Sequence, residues 1–156
     1  MTQALGPSKI VIVEDNEALA EIYKTRLELL GYECTVALDG IDALAVIEKI
    51  RPNLVLLDIM LPKLSGDWML KALRSTNWGK QIPVMVISNL NEKDVPINLR
   101  DLGIKGYYVK ANLLDGQIDL LVGNALNPAS ESPPDSRKET ETVDLSQVHS
   151  LPEEVA

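Results

Sequence analysis

Residues 53–66 read NLVLLDIMLPKLSG, an uncharged run of five residues that leads straight into the carboxylate of Asp58. A buried and unpaired carboxylate costs far more than its apolar neighbours gain, so Asp58 has to sit either at a solvated strand end or beside compensating cations. The run is too short for a helix and is followed by Pro62, Ser65 and Gly66, which mark a loop. NLVLLDI therefore reads as a strand, and the helix DWMLKALRST follows the loop.

The same unit recurs on either side of this stretch. KIVIV at 9–13 is a strand, Glu14 and Asp15 follow it, Asn16 can cap a helix, and Leu19, Ile22, Tyr23, Leu27 and Leu30 recur at helical spacing up to Gly31. YECTVAL is the next strand, Asp39-Gly40 a turn, and IDALAVIEKI a helix that has to end before Pro52. PVMVIS leads into a weak helix broken by Pro96, and GYYV ends at Lys110 before the helix LLDGQIDLLVGNAL. Five strands alternating with helices specify an α/β domain, a doubly wound five-stranded parallel sheet flanked by helices. In such sheets the ligand site lies beyond the carboxyl ends of the strands, where the winding order reverses.

With 156 residues, 46% hydrophobic and without phenylalanine, the chain has one core to fill, and Leu, Ile, Val and Ala must fill it. The net charge is −8. Residues 127–156 hold seven acids and two bases, so −5 belongs to that segment and −3 to residues 1–126. Rich in proline and acids and poor in apolar residues, 127–156 reads as a disordered tail, which leaves 8–126 as the domain. The sequence clusters no Lys/Arg run suited to nucleic acid or anionic lipid, so no direct nucleic-acid partner and no membrane insertion are expected. The single cysteine, Cys34, fits a small buried strand position, and without a signal peptide or long apolar run the expected location is the cytoplasm.

The strand ends collect chemistry: Glu14 and Asp15 after the first strand, Asp58 in the third, Ser88 closing the fourth and Lys110 after the fifth. Three converging carboxylates repel one another unless a hard divalent ion such as Mg²⁺ takes their oxygens. Lys110 offers a fixed cation and Ser88 a hydroxyl, both suited to the oxygens of a phosphoryl group, and Asp58 is then the nucleophile that forms an acyl phosphate. Each residue alone has a plainer account. An acid near a helix N-terminus caps it, a strand-end lysine is usually exposed, and a strand-end serine turns the chain. The joint placement outweighs these.

At this point the chain resembles the receiver domains of two-component response regulators, over about residues 8–126. The resemblance rests on the acidic pair in IVIVEDN, on Asp58 in LVLLDIMLPKLSG with Pro62 and Gly66 at the family's spacing, on the hydroxyl in VMVIS and on the lysine in GYYVK. It implies a flavodoxin-like fold and a single-domain response regulator, a phosphoprotein that catalyses only its own phosphorylation and dephosphorylation. By the same resemblance Mg²⁺ is held by Glu14, Asp15, Asp58 and the backbone carbonyl of Met60. The donor is a phosphohistidine on a sensor histidine kinase or phosphotransfer protein, or a small acyl phosphate. Tyr107 matches an aromatic switch that moves with Ser88, and the downstream protein target binds the face made by the fourth helix, fifth strand and fifth helix. No effector sequence follows the domain, so output is expected through a partner, through self-association or through the tail.

Three departures from the family pattern stand out. Ala111 replaces the proline that usually follows the lysine, and a cis bond before a non-proline residue costs about 2.5 to 4 kcal/mol, which argues against the usual cis peptide. Asn89 is larger than the residue usual after the hydroxyl position, and Pro96 interrupts the fourth helix. Two other functions compete. An aspartate-nucleophile phosphatase needs a second acid two residues after its nucleophile, where this chain has Met60. A degenerate receiver acting as a phosphorylation-independent docking module is disfavoured because all five chemical positions are filled. Relay through histidine is excluded on the reading that the single histidine, His149, lies in the tail.

Overall fold

Alternating branched side chains build the sheet. In the computed structural model, which describes residues 6–127, the strands are β1 (Lys9–Val13), β2 (Glu33–Ala37), β3 (Leu54–Leu57), β4 (Val84–Ser88) and β5 (Gly106–Val109). All neighbours pair in parallel, in the order β2-β1-β3-β4-β5. The helices are α1 (Glu17–Leu29), α2 (Gly40–Ile50), α3 (Gly66–Arg74) and α4 (Gln117–Leu126). Because successive strand residues face opposite ways, Val11, Val13, Val55 and Leu57 join one core cluster with Ile47, Leu70 and Leu73 of α2 and α3. Ile10, Ile12, Leu54 and Leu56 join the other, with Ala20 and Leu27 of α1 and Ile118 and Val122 of α4. Cys34 lies buried in the second cluster.

The helix ends follow the expected chemistry. Asn16 caps α1, its side-chain oxygen accepting the Leu19 N–H at 3.0 Å, and Asp39 caps α2 through the Asp42 N–H at 2.7 Å. Gly31 at φ 99° turns the chain after α1, and Arg51 takes a left-handed φ of 52° just before Pro52. The last helix starts at Gln117 and not at Leu113, because Gly116 at φ 86° breaks the helical path.

The fourth helix of the sequence reading does not form. Two single 3₁₀ turns, Glu92–Asp94 and Leu99–Leu102, stand on either side of Pro96. Pro96 lacks an N–H and disfavours helical backbone at Val95, so one continuous helix cannot run through it. Val95 and Leu99 still reach the core, and the Arg100 guanidinium grips both Glu92 carboxylate oxygens at 2.7 and 3.0 Å, which ties the two turns together. The expected output face therefore lacks its fourth helix and keeps β5 and α4. No peptide bond among the described residues is cis, so Lys110–Ala111 is trans. The tail expectation falls on residues outside those described, apart from Asn127. No described helix is long and apolar enough to cross a membrane.

Candidate functional site

The winding order reverses between β1 and β3, whose last residues, Val13 and Leu57, are register partners. The residues that follow them, Glu14 and Asp58, are thereby neighbours at the switch point. Backbone bonds fix both: the Glu14 N–H donates to the Ala37 carbonyl at 3.0 Å and the Asp58 N–H to the Val13 carbonyl at 3.1 Å. One carboxylate oxygen from each of Glu14, Asp15 and Asp58 lies within 4.8 Å of the other two. Glu14 and Asp58 are only 3% and 5% exposed, whereas Asp15 faces solvent.

The alternative posed by Asp58 is settled by Lys110. Carried in from the end of β5, its ammonium lies 2.8 Å from Asp58 Oδ2 and 2.7 Å from Glu14 Oε1. Asp58 is a buried acid beside a cation, not a solvated strand end. Burial raises the Glu14 carboxyl above its ordinary range, and the bonds from Lys110 and the Asn16 N–H only partly offset this. At Lys110 burial works against the charge, but the hydrogen bonds to Asp58 and Glu14 outweigh it and hold the ammonium above the ordinary lysine range. The lysine is a permanent cation at neutral pH. Three carboxylates and one ammonium leave an excess of two negative charges around oxygen-only donors, which suits a hard divalent cation.

The loop after β3 is shaped around Asp58. Asp58 Oδ1 accepts the Met60 N–H at 3.1 Å, and the Gly66 N–H returns to the Ile59 carbonyl at 2.8 Å. A Cβ on Gly66 would stand 2.1 Å from the Asp58 carbonyl oxygen, so no larger residue fits. Between them Lys63 adopts φ 67°, and the Leu64 N–H closes a three-residue turn on the Pro62 carbonyl at 2.7 Å. Lys63 also lies 3.5 Å from Asp39, tying this loop to the start of α2.

Ser88 is fully buried at the end of β4, the strand paired with β3. Its Oγ accepts the Leu90 N–H at 3.3 Å, while the Tyr107 hydroxyl, beside Ser88, donates to the Leu90 carbonyl at 2.5 Å. Tyr107 packs half-buried against the α2/α3 core. Direct bonds link Glu14, Asp58, Lys110 and the Met60 N–H, with Asp15 in the same carboxylate cluster, and Leu90 links Ser88 to Tyr107. Leu90, which joins Ser88 to Tyr107, escaped the sequence reading because it acts through its peptide group. Tyr23 escaped as well: its phenol is raised chiefly by burial, and it feels the charges of Lys110, Glu14 and Asp58.

Residues 10–117 match the family model described as the response regulator receiver domain. The chain belongs to that family. The receiver is 34% identical over 127 residues to a probable transcriptional regulator, ycf27, of Cyanophora paradoxa, covering 80% of this chain and 52% of that protein. It is 29% identical over 145 residues to the DNA-binding dual master transcriptional regulator RpaA of Synechocystis, covering 93% of this chain and 59% of that protein. The receiver thus spans about half the length of the curated relatives it matches. Among solved structures, the receiver domain of Francisella response regulator 1452 is similar at 29% identity and TM-score 0.69, covering 78% of this chain and 98% of that one. The BeF3-activated receiver domain of Klebsiella pneumoniae RstA is similar at 28% identity and TM-score 0.67, covering 76% and 98%.

Proposed function

We propose that Asp58 accepts a phosphoryl group from a phosphohistidine on a sensor histidine kinase or phosphotransfer protein, or from a small acyl phosphate. The supporting observation is the Lys110 ammonium bridging the buried carboxylates of Glu14 and Asp58, with Asp15 completing the anionic cluster. Glu14, Asp15, Asp58 and the Met60 carbonyl are the groups that would hold Mg²⁺. When bound, the ion neutralises the excess negative charge and lets an anionic donor approach. An Asp58 carboxylate oxygen forms the new bond to phosphorus, and the donor leaves with the electron pair of the bond that breaks. Lys110 and Ser88 then stabilise the phosphoryl oxygens. Met60, two residues beyond Asp58, offers neither acid nor base for hydrolysis, which favours a persistent switch over turnover.

The switch in this reading is the Ser88-Leu90-Tyr107 linkage. A Ser88 hydroxyl drawn toward the phosphoryl group gives up the Leu90 N–H, and the Tyr107 bond to the Leu90 carbonyl is set free to readjust with it. The change is read at the β4–β5 connection, β5 and α4 by a downstream protein in the cytoplasm, with residues 8–126 as the signalling unit and no direct contact to nucleic acid. The test is incubation with a small acyl phosphate and Mg²⁺ followed by intact mass. One added phosphoryl group is expected on the native protein and none on Asp58→Asn, on Asp15→Ala or in excess chelator. Equal labelling in any of these three rejects the assignment.

A further inference from the structure

The connection between β4 and β5 is fastened to the rest of the domain at few points. At its start Leu90 is held by Ser88 Oγ, which accepts the Leu90 N–H at 3.3 Å, and by the Tyr107 hydroxyl on its carbonyl. At its end the Arg74 guanidinium of α3 donates to the Leu102 carbonyl at 2.7 Å and to the Gly103 carbonyl at 3.3 Å. The same group also donates to the carbonyls of Gly79 and Ile82, at 2.7 and 2.8 Å. Four carbonyls on one half-buried guanidinium make the second 3₁₀ turn, Leu99–Leu102, a fixed point.

The first turn lies between these two ends. Hydrogen bonds of residues 91–97 run inside the segment, from the Asp94 N–H to the Asn91 carbonyl at 2.9 Å and from the Val95 N–H to the Glu92 carbonyl at 3.1 Å. The exception is the Glu92 carboxylate, which accepts from Arg100 Nε at 2.7 Å and from a terminal Arg100 nitrogen at 3.0 Å. Among the described residues this pair alone carries hydrogen bonds across Pro96. A continuous helix would secure the segment through its own backbone ladder, but Pro96 forbids that ladder and the task falls to one side-chain pair. Val95 is buried and Ile97 packs on the core, whereas a cleft of about 500 Å³ lined by Asn91, Glu92 and Lys93 leaves space beside the turn. Leu90 stands two residues before Glu92. Any displacement of Leu90 therefore has to open the pair or drag the turn that Arg74 pins to α3.

We propose that the Glu92–Arg100 pair is a latch on the β4–β5 connection, holding Leu90 where it meets Ser88 and Tyr107. This regulatory role, which rests on the reading of Asp58 as the phosphoryl acceptor, sets the latch against the phosphorylated state. By linkage, whatever opens the latch favours that state by the same factor. Exposure limits its strength. With the Arg100 and Glu92 side chains 52% and 36% exposed, the pair supplies a shift of up to about fivefold at low salt and little at about 1 M.

The test compares the native chain with Glu92→Gln, with Arg100→Gln and with the reversal that combines Glu92→Arg and Arg100→Glu. Glu28→Gln, which breaks the Lys24–Glu28 pair on α1, is the control. Without any phosphoryl donor, the amides of Ser88, Leu90 and Tyr107 should shift in both single variants. The direction should be the one in which Mg²⁺ and beryllium fluoride, a phosphoryl analogue, drive them in the native protein. These amides should stay in place in the reversal and in the control. The beryllium fluoride concentration at half saturation should fall by up to about fivefold in the single variants at low salt, and should converge with the native value at about 1 M. Amides that stay in place in both single variants, or that move as far in the reversal, overturn the latch. Half saturation in the single variants at or above the native concentration at low salt overturns it as well. If both single variants move these amides alike while the native protein takes up neither the analogue nor a phosphoryl group, the latch stands and the acceptor reading of Asp58 fails.

Discussion

Replacing Lys110 by methionine removes one charge at nearly constant volume and leaves Glu14 and Asp58 buried together. The ammonium makes two charge-assisted hydrogen bonds, at 2.7 and 2.8 Å, and its side chain is only 14% exposed. Each such bond contributes about 1.5–3 kcal/mol, and stripping one partner from a buried ion pair costs about 3–5 kcal/mol. Water can enter past the exposed Asp15, so the lower part of that range applies, a loss of about 3 kcal/mol. For a domain of this size that lowers Tm by roughly 12 °C. Urea and thermal unfolding in chelator measure it. Added Mg²⁺ should recover more stability in the variant than in the native protein, because binding only to the folded state adds about 2.7 kcal/mol at a hundredfold excess over Kd. The pH dependence has a definite sign. Glu14 already has a folded pKa above its ordinary 4.5. Such an acid contributes stability that is complete below the unfolded value and lost as pH rises through the folded one. Losing Lys110 moves that window upward, so the deficit should widen toward neutrality and shrink on acidification. A loss below about 1 kcal/mol, the scale of a surface ion pair, or a deficit that grows in acid would refute the account.

Gly66→Ala should cost about 2 kcal/mol or more, because its Cβ would meet the Asp58 carbonyl at 2.1 Å and backbone cannot yield cheaply; a midpoint unchanged in urea refutes the close packing. Burial pushes the Cys34 thiol from 9.0 up to about 11, which cuts the thiolate about a hundredfold in mildly alkaline buffer. A disulfide reagent should therefore react far faster in denaturant than with the native protein, and the thiol's contribution to stability should fade as pH climbs through that range; equal rates would place Cys34 outside the core. Asn89 follows Ser88 and Met60 lies two residues beyond Asp58, and both are exposed. Under the proposed function, Asn89→Ala should admit water and speed loss of the phosphoryl group, roughly tenfold for a barrier change of about 1.4 kcal/mol. First-order decay in excess Mg²⁺ with the donor removed measures this, and an unchanged or slower rate rejects shielding by Asn89.

Local signals were enough for much of the fold. The short continuous apolar runs specified β1 and β5 to the residue, and Asn16, Gly31, Pro52 and Gly66 punctuated the helices because capping, positive φ and close approach are properties of single residues. The strand-end positions of Glu14, Asp15, Asp58, Ser88 and Lys110 were also legible, since parallel winding sends every such residue to one edge. Tertiary structure decided the rest. Whether Asp58 is solvated or paired depends on a lysine 52 residues away that crosses in from β5, a distance no local pattern encodes. Pro96 announced a weak helix, but its replacement by two turns clasped by Arg100 and Glu92 rests on a contact closed only in the folded chain. Leu90 works through its peptide group, which carries no side-chain signature.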